Sequence, residues 1–157
     1  MITIVTTDFE SMYAYKCGDY QRCLQLSTQN VHALLYAHFA TKDPILQIFN
    51  QLLDDDIVSL TALTVIVYPE CRDYTYCAYI SQLNLSLYLM TQCHLKLCHS
   101  VMSLAHTLHY IKVAQRRLPR DCALDELTLK LTERKIEMIQ YVTEIYLAQS
   151  HYLNTVL

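Results

Sequence analysis

One glycine, Gly18, serves the whole chain of 157 residues, and this limits the fold more than any motif does. Sheets draw on glycine for hairpins, bulges and left-handed turns, because it takes positive φ without a Cβ penalty. The remaining strong punctuation is three prolines, Pro44, Pro69 and Pro119. The chain therefore reads as all-α, with long helices joined by few turns. Apolar residues make up 53% and charged ones 17%. Helices of that composition bury more than one face or keep apolar surface for a partner. The length suits a single domain, 1–157.

Helix signals follow in order along the chain. Thr7-Asp8-Phe9-Glu10 has the form of a capping box, predicting a helix from there to Cys17, with Gly18 in the left-handed position that ends it. Asp19 then caps a second helix to about Gln29, with Tyr20, Cys23, Leu24 and Ser27 inward. A short third segment spans Val31 to Phe39, and Asp43-Pro44 opens a helix to Leu53. The aspartates Asp54, Asp55 and Asp56 start another over Ile57 to Val67. Its run Thr64-Val65-Ile66-Val67 has strand propensity but no strand partner elsewhere, so it is kept helical. Pro69 breaks the chain. Beyond it the periodicity predicts helices over about 74–91 and 95–116, with Leu83, Leu87 and Met90, then Leu97, Val101, Leu104, Leu108 and Ile111, facing the core. A long helix over about 122–153 carries an inward stripe of Leu124, Leu127, Leu131, Ile136, Ile139, Val142, Ile145 and Leu147. Its other face bears Glu126, Lys130, Glu133, Arg134 and Glu137. The expected architecture is an irregular α-bundle of antiparallel helix pairs, about six to seven helices in all.

Formal net charge is −3, too mild to suggest nucleic acid or an acidic membrane. Seven cysteines contain no Cys-x-x-Cys pair. The first residues, Met1 to Asp8, lack the basic and apolar regions of a secretory signal. Reduced thiols and a cytoplasmic location are the expectation. The longest apolar stretch, Ile57 to Val67, is too short and too rich in hydroxyls for a membrane span.

An internal echo is the most informative pattern. Gly18-x-Tyr20-x-x-Cys23 recurs as Cys93-x-Leu95-x-x-Cys98, each between amphipathic helices. A small residue at a tight turn, a bulky plug and a second small residue let two helices reverse and approach. This resembles the tetratricopeptide repeat, whose turn reads small-x-Tyr-x-x-Ala; Gly18, Tyr20 and Cys23 take those positions, and Cys93, Leu95 and Cys98 match more loosely. The resemblance implies stacked helix pairs that bind other proteins. Asp54 to Leu60 and Ser81 to Met90 also look like stretches of helical tails that follow Mab-21-like nucleotidyltransferase domains. The nucleotidyltransferase itself would need a Gly-Ser loop, which is missing, so Asp54 and Asp56 read as a helix terminus.

Catalytic and metal chemistry find little to work with. Cys93, His94, Cys98 and His99, with His106 and His109 farther along, are the best zinc candidates, yet no paired loop brings four ligands together. They read as buried thiols and surface histidines. No local motif activates a cysteine nucleophile, and one glycine cannot build a phosphate-cradling loop. No enzyme activity and no cofactor are therefore expected. Tyrosine is common, thirteen against three phenylalanines and no tryptophan, and Tyr68, Tyr74, Tyr76 and Tyr79 cluster around Pro69. Large contact area with a polar tip suits an interface. Arg116, Arg117 and Arg120 form a basic cluster at a helix C-terminus, suited either to the helix dipole or to an acidic partner. These seven residues are the candidate protein interface. The function expected is a non-catalytic protein-interaction or assembly module. Its partners are proteins, a second copy of the chain among them, with no nucleic acid and no membrane. The alternative is a regulatory C-terminal tail of a Mab-21-like nucleotidyltransferase.

Overall fold

A computed structural model of the chain describes residues 2–36, 55–69, 79–117 and 122–156. Among these, every regular element is an α-helix: α1 (Ile2–Lys16), α2 (Tyr20–Tyr36), α3 (Asp55–Val67), α4 (Gln82–Lys96), α5 (Val101–Arg117) and α6 (Ala123–Val156). The all-α reading holds.

α1 and α2 form one antiparallel hairpin, α4 and α5 another, and the two turns are built alike. After α1, the Gly18 N–H donates to Tyr15 O and the Asp19 N–H to Ala14 O, with Gly18 at φ 78°. After α4, the Cys98 N–H donates to Leu95 O and the His99 N–H to His94 O, with Cys98 at φ 52°. Each is a Schellman motif, which satisfies the last carbonyls of a helix by turning one residue left-handed. Asp19 then caps α2 by accepting the Arg22 N–H at 3.2 Å. The two turns are equivalent, but not in the register of the sequence echo: Cys98, not Cys93, stands where Gly18 does. Cys93 lies inside α4, fully buried.

α4 is the centre of the fold. It packs on α1, α2, α5 and α6, and every residue from Gln82 to His94 is buried. Leu85, Tyr88, Leu89 and Cys93 face one core, with Met12, Cys23, Ile57, Ile80 and Leu124. Leu83, Leu87 and Met90 face a second, with Val31, Leu35, Leu104, Ile111 and Ile136. A helix clad on all sides must also bury its polar residues; several find partners, while Gln82 Oε1, Asn84 Oδ1 and Ser86 Oγ are buried without one. Gln92 Nε2 donates to Tyr88 Oη at 2.7 Å, Thr91 Oγ1 to Leu87 O at 2.9 Å, and Asn84 Nδ2 to Asp125 O at 3.2 Å.

α4 starts at Gln82 instead of near residue 74, because Ser81 is its N-cap: extended at φ −68°, ψ 151°, it accepts the Asn84 N–H at 3.3 Å. Tyr79 and Ser81, outside the helix, dock on the start of α6. The Ser81 N–H donates to Asp125 Oδ1 at 2.7 Å, and the Cys122 thiol donates to Tyr79 O at 3.2 Å.

Other boundaries also differ from expectation. α1 runs through the proposed capping box, leaving Thr7 mid-helix and Asp8 buried against α2. The short segment from Val31 joins α2, since nothing in Gln29-Asn30-Val31 stops a helix. α5 begins at Val101 and not at 95, so Leu97 lies in the turn and Val101 is 38% exposed. α3 keeps its β-branched run helical and ends before Tyr68-Pro69 as expected. The helix proposed over Pro44 to Leu53 lies outside the described residues.

Candidate interaction surface

α6 changes character along its length. Its 34 residues make a rod of about 51 Å. In the first half one face enters both cores through Leu124, Leu129 and Ile136. The outward face there is charged: Lys130 Nζ pairs with Glu126 at 2.7 Å and Arg134 with Glu137 at 3.2 Å. Glu133, turned toward α5, takes bonds from Lys112 and from Gln115 Nε2. Burial acts to raise its carboxyl, but those two donors outweigh it and hold it below the ordinary value.

Past Glu137 the charged row stops while the helix continues. Met138 is 67% exposed, Tyr141 65%, Val142 62%, Ile145 40%, Tyr146 71% and Leu147 56%. This corrects the expected inward stripe, in which Val142, Ile145 and Leu147 belonged to the core. Among the described side chains past Glu137, only Ile139, half-buried, still packs on the second core cluster. The bundle is shorter than its last helix, so the heptad pattern runs on after its neighbours end. Residues 138–157 contain one charged side chain, Glu144.

The seven residues singled out from the sequence do not form one site among the described residues. Tyr68 follows α3 and is 39% exposed. Tyr79 is half-buried and packs on the first core cluster, where it and Ser81 dock on α6. Arg116 and Arg117 close α5 and are exposed, and Arg117 Nη1 donates to Leu35 O, so this arginine ties α5 to the end of α2. Tyr74, Tyr76 and Arg120 lie outside the described residues.

The thiols and imidazoles pair up without converging. Cys23 and Cys93 meet across α2 and α4, both wholly buried. The hydrogen bond between their thiols favours the thiolate of Cys23, while the same bond and burial drive Cys93 up. Cys98 is exposed in the turn, against the expectation that it packs between helices; left-handed backbone at that position points its side chain to solvent. His94 Nδ1 and His99 Nδ1 lie 2.9 Å apart with ring centroids at 5.2 Å. That centroid spacing is close to the largest the nitrogen separation allows, so the rings meet head-on, in the geometry of a hydrogen bond between the two nitrogens. Lone pairs aimed at a common ion would bring the centroids closer. Burial, and next to it the His99 ring, push His94 below its usual basicity. Among the described residues no three His, Cys, Asp or Glu side chains group to hold a metal, and no helix is long and apolar enough to cross a membrane.

The distal face of α6 escaped the sequence reading because apolar spacing alone does not say whether a core is there to meet it. The available signal was the loss of charge after Glu137. Comparison of the chain with protein-family models, curated proteins and solved structures finds no match.

Proposed function

We propose that this domain is a non-catalytic protein-interaction or assembly module whose contact face is the distal half of α6. One observation carries the reading: Met138, Tyr141, Val142, Ile145 and Tyr146 stand 40–71% exposed on a segment with a single charge. Contiguous apolar surface of this kind is kept in soluble domains chiefly where a partner covers it. α6 is held along its first half by α3, α4 and α5, which suits a scaffold that presents one face. Cys17, Cys23, Cys93 and Cys98 are free thiols, two of them buried, and that agrees with work in a reducing compartment such as the cytoplasm.

The test compares wild type with a Tyr141→Glu/Ile145→Lys variant by affinity capture and thermal melting. The variant is expected to melt within about 1–2 °C of wild type, because both side chains are exposed, and to lose a bound protein selectively. Equal capture by both would sink the assignment of this face.

A further inference from the structure

We infer that the chain pairs with a second copy of itself through the distal half of α6, as an antiparallel two-helix seam. The inference rests on the proposed interaction role and names its partner. Met138, Val142, Ile145 and Gln149 are spaced by four, three and four, so they share one face of the helix. This face lies about 90° and 130° around the helix from half-buried Ile139 and Thr143 and continues the row begun by Lys130 and Arg134. The spacing is that of a coiled-coil seam, in which positions three and four apart meet a facing helix.

Three features select a second copy over a different protein. The first is area. Met138, Tyr141, Val142, Ile145 and Tyr146 are 67%, 65%, 62%, 40% and 71% exposed. With side chains of this size offering roughly 200 Å² when free, they present on the order of 600 Å², within reach of the ~600–1,000 Å² per partner of a specific interface. The second is charge. A heterologous partner is ordinarily selected by charges across the contact, and this segment has only Glu144. The third is self-complementarity. A two-fold axis between Thr143 and Glu144 sets Val142 of each copy opposite Ile145 of the other, and Met138 opposite Gln149. Glu144 lies off the seam, so like charges are not forced together. Tyr141 then flanks Ala148 of the other copy, a bulky residue beside a small one. An isologous contact of this kind closes on itself and needs no third chain.

Sedimentation equilibrium of the full chain from about 1 to about 100 µM tests this, since a dimer of this size must depend on concentration. Wild type is expected to pass from monomer to dimer. Val142→Glu alone and Ile145→Lys alone should each weaken association by at least about tenfold. Combining the two in one chain should recover most of the loss, because the antiparallel register sets position 142 against position 145. Leu147→Lys, on the other side of α6, should leave association unchanged, and circular dichroism melts of all four, taken at concentrations where wild type is monomeric, should match wild type. A monomer throughout the range overturns the inference. So does a dimer that ignores the single variants, or a double variant no better than the singles. If wild type stays monomeric but captures another protein that Ile145→Lys does not, self-pairing falls and the interaction role stands. If neither association is seen, both fall.

Discussion

Gly18 and Cys98 occupy the same position in two equivalent turns, the left-handed residue of a Schellman motif, at φ 78° and 52°. Only one is glycine, and the space around Gly18 is open, with no atom within 4 Å of where a Cβ would lie. Gly18→Ala should therefore cost only the backbone strain, about 1–2 kcal/mol. Cys98→Gly should stabilise by up to about 1 kcal/mol, since it relieves strain at the matching site and its side chain is exposed. Urea denaturation of both variants checks the signs; a stabilising Gly18→Ala would contradict the turn geometry.

Asp8 carries a pH dependence of folding. Its Oδ1 accepts from Asn30 Nδ2 at 2.7 Å, its Oδ2 is buried without a partner, and burial raises its pKa from 3.8 to about 7. The unfolded chain releases this proton near pH 4 and the folded chain near pH 7. Between those values folding takes up a proton, so stability falls as pH rises and levels off above about 7. Asp8→Asn keeps an acceptor for Asn30 and removes the titration. It should be more stable than wild type by roughly 2–4 kcal/mol at pH 8 and nearly equal at pH 4. A variant that gains nothing at pH 8 would show that Asp8 is not penalised by burial.

Asp125 should matter to α4 more than its place on α6 suggests. It accepts the N–H of Ser81, the α4 N-cap, and burial raises its carboxyl against the opposing bonds from Ser81 and Asn84. Asp125→Ala leaves that N–H without an acceptor and should cost about 1–3 kcal/mol. Asp125→Asn keeps a carbonyl oxygen there and should lose much less. Faster hydrogen exchange at Ser81 and Asn84 in the alanine variant alone would locate the damage.

Thiol reactivity should divide the cysteines by burial. Cys17 and Cys98 are exposed, whereas Cys23, Cys93 and Cys122 are buried. Peptide mapping after brief native labelling should find the first two modified and the other three protected. Cys23→Leu should overpack the contact with α4 and cost about 1–3 kcal/mol, while Cys98→Leu should be close to neutral. Rapid modification of Cys93 would mean that α2 and α4 do not close as described.

Glycine scarcity, Pro69 and helical spacing were enough to read an all-α chain, the turn at Gly18, the cap at Asp19 and the helix ending before Tyr68. These are local matters, decided by the φ, ψ and hydrogen bonds of a few neighbouring residues. Where α4 begins was not local. Val31 to Tyr36 simply continues a helix, but Tyr79 to Ser81 stay out of one, their backbone groups held by Cys122 and Asp125, more than forty positions away. The fate of each apolar stripe was decided in the same way. Leu124 and Ile145 satisfy one helical spacing, yet the first is wholly buried and the second 40% exposed. A side chain leaves water only where other helices are there to cover it, and how far each neighbour reaches depends on how all the helices assemble.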